Sequence, residues 1–221
     1  MSHSAGDREP TGSYDAEVLD AVLFDFGGVV TASPFDGFAA YEREAGLPPG
    51  FVRRINSTNP DANAWARLER NEVDFEQFCD LFEAEARSLG HDLSAHRVFE
   101  CLNGALRPDM VEAIRRCGER LLTACLTNNV VRADGTRTHE EILAMFDVVV
   151  ESSRVGIRKP DPRFYLLACE QLAVAPEKCA FLDDLGINLK PAAALGMTTI
   201  KVTTSDQAIA ELEHVVGFPL R

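Results

Sequence analysis

The residues of this sequence that are best suited to chemistry are polar side chains in the segments that follow short apolar runs. A charge beside a buried run is costly unless it meets a metal ion, a partner charge or a substrate. Carboxylate oxygens are ligands that Mg²⁺ prefers, while lysine and hydroxyl donors suit a phosphoryl group. Together the set indicates a site for a divalent cation and an anionic group. Its members are Asp25, Thr127, Asn128, Lys159, Asp183, Asp184 and Asn188.

The elements that must position this set form an alternating pattern. Strand-like apolar runs lie at 21–26, 121–126, 148–150, 179–182 and 198–202. Helical patterns lie at 109–117, 139–146, 163–172 and 188–195. Such alternation predicts an α/β fold, a doubly wound, Rossmann-like parallel sheet covered by helices on both faces. Because ligands of open parallel sheets bind at the carboxyl ends of the strands, the polar set is expected to converge at one sheet edge.

One segment departs from the alternation, since residues 33–105 carry helical patterns and no convincing strand. Asp74 is placed as a helix N-cap, and the apolar positions after it fall on one helical face. Those positions are Phe75, Phe78, Phe82, Ala86 and Leu89. We therefore expect an all-helical cap domain over 33–105, inserted into an α/β core formed by 18–32 and 106–221.

Composition excludes several classes of function. With 221 residues, 46% hydrophobic and 26% charged, the chain is expected to be a soluble globular protein with a sizeable core. A net charge of −13 argues against a nucleic-acid partner, because no basic patch could dominate that field. The six cysteines show no CxxC pairing, which favours reduced thiols in a cytoplasmic protein.

The first residues are not expected to direct the chain to a membrane. Residues 1–17 are polar and rich in Ser, Gly, Asp and Glu, which predicts a flexible tail and no signal peptide. The apolar run at 21–30 is too short to span a bilayer, and it contains Asp25. We expect no membrane association.

Four motifs, in this order, resemble those of the haloacid dehalogenase-like (HAD) superfamily over residues 20–220. The superfamily pattern is a nucleophilic Asp in DxDGx, a Thr or Ser after the second strand, a Lys, and a final acidic pair. The segments VGIRKPDPRFY and FLDDLGINLKPAAALGMTTIKV also resemble the phosphatase domain of soluble epoxide hydrolases and the phosphatase-like domain of acyl-CoA dehydrogenase fusions, in which the first motif likewise reads DxGGV. The matching residues here are Asp25, Thr127, Lys159, Asp183 and Asp184.

The resemblance implies a phosphohydrolase that works through a covalent intermediate. Asp25 would be the nucleophile and form an aspartyl-phosphate. Mg²⁺ would be held by the Asp25 carboxylate, the Gly27 carbonyl and the Asp184 carboxylate. Lys159 would neutralise charge on the nucleophile and the phosphate, and Asp183 would orient Lys159 or the waters on the metal.

The resemblance also implies which residues meet the substrate. Thr127 and Asn128 would hold the phosphoryl oxygens, with Asn188 in a supporting role near the acidic pair. The substrate would be a small phosphorylated metabolite, and the helical cap would close over it.

Gly27 departs from the superfamily pattern, because the second aspartate of DxD is missing. A glycine carbonyl can still bind metal, but it cannot protonate the leaving oxygen, a contribution worth ~10²–10⁴-fold in rate. The sequence therefore predicts a phosphatase that is weak or limited to good leaving groups. Asp36 is a hypothetical surrogate acid. The alternative is that Asp36 only favours the dipole of a helix that Ser33 caps, with Pro34 in its first turn.

Other functions remain open. Because position 27 lacks an acidic side chain, the chain could be a catalytically impaired protein that binds a phosphate ligand or a partner. A 2-haloacid dehalogenase would use Asp25 without metal, but Asp184 would repel its carboxylate substrate. Trp65, Arg67 and Glu69 either face a substrate pocket or belong to the core and surface of the helical segment.

Overall fold

The computed structural model describes residues 19–131 and 139–221, so the expected flexible tail at 1–17 lies outside the described residues. Within the described part, five parallel strands form one sheet in the order β3-β2-β1-β4-β5. This sheet confirms the predicted α/β class, and each observed strand lies within two residues of a predicted run. The strands are β1 (Ala21–Phe24), β2 (Leu122–Thr127), β3 (Val148–Glu151), β4 (Cys179–Asp183) and β5 (Thr198–Lys201).

Between β1 and β2 the described chain is helical, which agrees with the absence of strand signals there. The helical region, as we call it, comprises α1 (Phe35–Glu44), α2 (Phe51–Ser57), α3 (Ala64–Glu69), α4 (Phe75–Ser88) and α5 (Ala95–Glu100). It has its own apolar cluster, in which Phe51, Phe78 and Phe82 are almost fully buried. Burial of these large aromatic side chains stabilises the region through a cluster distinct from those on the two faces of the sheet.

The starts of two of these helices test the expected caps. α4 begins after Asp74, whose carboxylate accepts from the Gln77 amide at 2.8 Å in a capping box, as the pattern predicts. The assignment of Ser33 as the cap of α1 is wrong: Pro34 occupies the N-cap position, and no side chain caps that helix. The reason is that the helix begins one residue later than expected, at Phe35.

Helices cover both faces of the sheet. They are α6 (Pro108–Gly118), α7 (Glu140–Leu143), α8 (Ser152–Val155), α9 (Pro162–Leu172), α10 (Gly186–Ala194) and α11 (Ser205–Val216). One sheet face packs with α6 and α11, and the other packs with α9 and α10. The short helix α8 and the terminal α11 have no counterpart among the predicted helices. α7 is shorter than the helical pattern at 139–146.

The chain leaves and re-enters the sheet region through two adjacent segments. Thr31 and Leu106 form an isolated antiparallel bridge, and the Ala32 amide donates to the Ala105 carbonyl at 2.8 Å. The helical region is therefore connected to the sheet at two points that lie side by side. No helix among the described residues has the length and apolar character needed to cross a bilayer.

Candidate active site

The polar residues after β1 and β4 meet because these two strands are neighbours. The Asp25 amide donates to the Leu182 carbonyl at 2.9 Å, so the pairing continues one residue past the end of β1. Asp183 is the last residue of β4, and Asp184 follows it. Chain order reverses here, since β2 and β3 lie on one side of β1 while β4 and β5 lie on the other. Such a switch point is where open α/β sheets bind ligands.

Lys159 is the centre of the charged site. Its Nζ lies 2.7 Å from Oδ1 of Asp25 and 2.8 Å from Oδ2 of Asp183. The lysine side chain is 1% exposed and the Asp183 side chain is fully buried. A buried ammonium requires such partners, because leaving it unpaired would cost far more than the pair gains. Three predicted site residues thus form one ionic contact set.

Asp183 is held by more than Lys159. Its Oδ1 accepts from the Leu185 amide at 2.8 Å, and the Asn188 side-chain amide donates to both carboxylate oxygens at 3.1 and 3.0 Å. Asn188 lies on α10, the helix that follows the acidic pair. These donors satisfy Asp183, so its geometry fits a residue that supports Lys159.

Asp184 is the more accessible of the two adjacent acids, and it lies against the turn after β1. A Cβ built on Gly28 would be 2.3 Å from Oδ2 of Asp184, and Gly28 has φ +80°. Both facts require glycine at position 28. Burial and then the charge of Asp183 raise the pKa of Asp184 to about 6, against the opposing charges of Lys159 and Arg107.

The pKa values of Asp25 and Lys159 reflect burial and the crowding of charge at the site. Burial raises the pKa of Asp25 well above its ordinary value, as do the charges of Asp183 and Asp184, and the ammonium of Lys159 opposes them. Burial alone would lower the pKa of Lys159, but the charges of Asp183 and Asp25 outweigh it and raise that pKa. Lys159 therefore stays an ammonium, while burial and neighbouring negative charge keep the pKa values of Asp25 and Asp184 raised.

The three carboxylates could hold a metal ion. Asp25, Asp183 and Asp184 each offer an oxygen, and these oxygens lie within 4.8 Å of one another. The Lys159 ammonium contacts two of these carboxylates, those of Asp25 and Asp183. The donor set is all oxygen, which suits a hard divalent cation such as Mg²⁺.

Thr127, the last residue of β2, and Asn128, which follows it, have different surroundings. Thr127 ends β2, is 9% exposed, and lines a cavity beside Gly27. The Asn128 side chain holds the main chain of Lys159, since its Oδ1 accepts from the Lys159 amide at 2.8 Å and its Nδ2 donates to the Lys159 carbonyl at 3.0 Å. The Asn128 side chain is thus engaged in positioning Lys159, a role that the sequence did not indicate.

A cavity of about 320 Å³ lies between the sheet edge and the helical region. Gly27, Thr127 and Asn128 line it on the sheet side, and Trp65 and Glu69 line it on the helical side. Much of the remaining wall is apolar, with Phe26, Pro34, Phe99, Leu102, Val130 and Leu143. Of the three side chains considered for a pocket, the structure therefore brings Trp65 and Glu69 to the cavity. Neither Arg67 nor the hypothetical acid Asp36 is among its lining residues.

Glu69 is buried in the wall of this cavity. Its Oε1 accepts from the Trp65 indole N–H at 3.1 Å, and its Oε2 lies 2.6 Å from Nε of Arg158. Burial raises the pKa of Glu69, although Arg158, Lys159 and the Trp65 N–H act in the opposite direction. Arg158 was not singled out by the sequence, although it directly precedes Lys159.

Comparison with curated proteins gives relatives that extend well beyond this chain. It is 36% identical to acyl-CoA dehydrogenase family member 10 of Mus musculus over 90% of this chain and 19% of that protein. It is 32% identical to bifunctional epoxide hydrolase 2 of Sus scrofa over 91% of this chain and 40% of that protein. The chain thus spans less than half the length of these two relatives.

A further relative matches over most of both lengths. The phosphatase MT3486 of Mycobacterium tuberculosis (strain CDC 1551 / Oshkosh) is 36% identical over 86% of this chain and 89% of that protein. These three relatives agree with the resemblance that the motifs indicated.

Solved structures share the fold at low sequence identity. The HAD family enzyme BT-2542 of Bacteroides thetaiotaomicron, in complex with magnesium and inorganic phosphate, superposes with a TM-score of 0.58 at 17% identity, over 88% of this chain and 98% of that one. The L-2-haloacid dehalogenase of Xanthobacter autotrophicus, with chloropropionic acid covalently bound, gives 0.57 at 19% identity, over 89% and 83%.

The family model described as haloacid dehalogenase-like hydrolase matches residues 19–196, which include the sheet edge, its charged residues and the helical region. The fold, the order of the motifs and this match all indicate the same family. The chain belongs to the haloacid dehalogenase-like hydrolase family.

Proposed function

We propose that this chain is a Mg²⁺-dependent phosphatase that acts on a small phosphorylated metabolite through an aspartyl-phosphate on Asp25. The observation that carries the proposal is the buried Lys159 ammonium, which bridges Asp25 and Asp183 beside a third carboxylate, Asp184. A nucleophilic carboxylate next to a fixed positive charge suits attack on a dianionic phosphate, because the positive charge offsets the repulsion between the two.

Mg²⁺ would be held by the Asp25 carboxylate, the Gly27 carbonyl and the Asp184 carboxylate. When bound, the ion supplies positive charge to the nucleophile and to the phosphoryl oxygens. Asp183 is the least suited of the three acids to this role, because Lys159, Asn188 and the Leu185 amide already occupy its oxygens. The magnesium and phosphate in the Bacteroides enzyme of the same fold agree with this choice of ion.

The reaction divides into two displacements. A carboxylate oxygen of Asp25 forms a bond to phosphorus, and the bond from phosphorus to the leaving oxygen breaks with its electron pair. Water then attacks the phosphorus of the aspartyl-phosphate, which releases inorganic phosphate and restores Asp25. Thr127 and the main chain of Asn128 would hold the phosphoryl oxygens, while Lys159 would balance charge in both steps.

Gly27 restricts which leaving groups can depart. No side chain at this position can give a proton to the leaving oxygen, so phosphates whose leaving group is stable as an anion should react best. The mostly apolar cavity wall, with Trp65 and Phe99, favours an organic group that is itself largely apolar. Aryl and acyl phosphates are therefore better candidates than small alkyl phosphates.

The first experiment measures phosphate release from p-nitrophenyl phosphate with and without Mg²⁺. We expect sustained turnover by the wild type, loss of activity with EDTA, and a loss on the order of 10⁴–10⁶-fold in Asp25→Asn. Asp61→Asn, in the helical region and not among the cavity-lining residues, is the matched control. Equal activity of wild type and Asp25→Asn would exclude the aspartyl-phosphate.

A second experiment tests the proposed effect of Gly27. A Cβ built on Gly27 meets no atom within 4 Å, so Gly27→Asp is sterically compatible with the native backbone. This variant should raise kcat for alkyl phosphates by ~10²–10⁴-fold and change aryl phosphate turnover much less. If the wild type already hydrolyses alkyl and aryl phosphates at equal rates, the proposal that Gly27 makes the enzyme selective for good leaving groups is wrong.

A second candidate function is a phosphate-binding protein with little turnover, and Gly27 is the observation that favours it. Such a protein would form the aspartyl-phosphate and hydrolyse it slowly. Pre-steady-state kinetics separates the two functions, because an impaired protein releases one equivalent of p-nitrophenol and then stops. A haloacid dehalogenase is less favoured, since Asp184 places an additional negative charge beside the proposed nucleophile.

A further inference from the structure

Arg158, the residue directly before Lys159, connects the sheet edge to the helical region. Its Nε lies 2.6 Å from Oε2 of Glu69 in α3, and its Nη1 donates to the Pro60 carbonyl at 2.9 Å. The Arg158 side chain is 20% exposed and that of Glu69 is 9% exposed, so solvent screens the contact only partly. Two separate parts of the helical region thus hold one guanidinium group.

The adjacent residue is held from the opposite side. Asn128, at the end of β2, fixes the Lys159 main chain through its side-chain amide at 2.8 and 3.0 Å. The Lys159 side chain then reaches Asp25 and Asp183. A displacement of α3 would therefore pull on the residue next to Lys159, while Asn128 would resist that movement.

Glu69 also lies where a substrate would be. It lines the cavity together with Trp65, and the Trp65 indole N–H donates to its second carboxylate oxygen at 3.1 Å. One carboxylate thus contacts the cavity wall on one side and the Lys159 segment on the other. This is the arrangement needed for the position of the helical region to affect the position of Lys159.

We propose that Arg158 is a positioning residue for Lys159, and that Glu69 links it to the helical region so that Lys159 is correctly placed only when α3 is closed against the sheet edge. The proposal rests on the proposed function for its kinetic test. It predicts that breaking the link lowers kcat, because Lys159 acts in the chemical steps, and that KM changes little.

The test is a double-mutant cycle with Glu69→Gln, Arg158→Gln and the double variant, measured as kcat and KM for p-nitrophenyl phosphate with Mg²⁺. A misplacement near 1 Å costs up to ~10²-fold, so each single variant should lose about 10- to 100-fold in kcat. The double variant should lose no more than either single variant, because both changes break the same link. Glu69→Arg combined with Arg158→Glu should recover part of the loss.

The matched control is the ion pair between Arg70 and Glu72, whose closest atoms also lie 2.6 Å apart. This pair is in the same region, but neither residue lines the cavity, and the ion pairs of Lys159 among the described residues are with Asp25 and Asp183. Arg70→Gln and Glu72→Gln should leave kcat unchanged. Losses in Glu69→Gln and Arg158→Gln that only follow urea stability, or that affect KM alone, would overturn the proposal.

A second measurement needs no turnover, so failure of the proposed function can be distinguished from failure of this link. Hydrogen–deuterium exchange of the peptide that contains Lys159 reports on its amide, which donates to Asn128. Glu69→Gln should speed that exchange at least tenfold, and Glu72→Gln should not. Unchanged exchange in Glu69→Gln overturns the link, whereas fast exchange with no turnover in the wild type overturns only the phosphatase.

Discussion

The sheet edge and the helical region contribute to the same cavity in different ways. At the sheet edge, Gly27, Thr127 and Asn128 line the cavity. The charged groups behind them, which are not among the lining residues, contact one another at hydrogen-bond distance, as Lys159 does with Asp25 and Asp183. In the helical region, aromatic rings pack together, with Trp65 and Phe78 centroids 5.0 Å apart. Under the proposed function, the sheet edge would provide the chemistry, while the helical region would select what reaches it.

The two parts also obtain their geometry from different sources. The ends of β1 and β4 fix where Asp25 and Asp183 lie, because parallel neighbouring strands end at one edge. The cavity wall depends instead on how α3 packs against the rest of the helical region. Variants in each part should therefore have separable effects, and the four predictions below test that separation.

Of these four variants, the largest effect is expected from Lys159→Met, which removes the central charge of the sheet edge and keeps similar volume. kcat for p-nitrophenyl phosphate should fall by about 10²- to 10³-fold, because the positive charge beside the nucleophile is lost. Lys190→Met, at an exposed lysine on α10, is the control. A variant that keeps more than a tenth of the wild-type kcat would contradict the assignment of chemistry to Lys159.

Phe78→Ala is the corresponding variant in the helical region, and it should change stability rather than catalysis. Phe78 is fully buried and packs against Trp65 and Phe82, so its truncation should lower the free energy of unfolding by about 3–5 kcal/mol. The chain has one tryptophan, Trp65, whose fluorescence during urea unfolding reports this region. In native buffer, kcat for p-nitrophenyl phosphate should stay within about threefold of wild type. A loss as large as in Lys159→Met would show that the two parts are not separable.

Trp65→Ala should affect selection more than chemistry. Loss of the indole from the cavity wall should raise KM about tenfold for an aryl phosphate, which corresponds to ~1.4 kcal/mol of lost apolar contact. KM for acetyl phosphate, which is too small to need that wall, should be unchanged. Trp65→Phe should be intermediate, and equal changes for both substrates would exclude a role in selection.

The smallest effect is expected from Asp36→Asn. Asp36 is exposed in the first turn of α1 and does not line the cavity, so it can contribute only through the helix dipole, about 0.3–1 kcal/mol. Turnover of aryl and alkyl phosphates should equal that of wild type. A tenfold decrease in kcat would instead support Asp36 as the surrogate acid.

The sequence was most informative where a single strand end determines a position. Asp25 directly follows β1 and Asp183 ends β4, and the pairing of these two parallel strands brings the carboxylates together. The contact of Asn128 with the Lys159 main chain could not be predicted, because it depends on the conformation of two loops that are distant in sequence. For the same reason the contact of Arg158 with Pro60 left no sequence signal.

The spacing of two residues in the cavity wall is a feature that the sequence does show. Trp65 and Glu69 are four residues apart and so share one face of a helix, whereas Arg67 is two residues from each and lies on another. Helical period alone would have separated Arg67 from the other two side chains. It could not have shown which face meets the sheet edge, because packing of the whole helical region decides that.

The bridge between Thr31 and Leu106 has an evolutionary consequence. Because the chain leaves and returns at adjacent points, the intervening polypeptide can lengthen, shorten or be exchanged with little effect on the strands that it interrupts. Natural variation can therefore replace the helical side of the cavity wall as one cassette while the ends of β1 and β4, which carry Asp25 and Asp183, stay in register. A lineage with this architecture can acquire new substrates through its insert and inherit its reaction through its sheet.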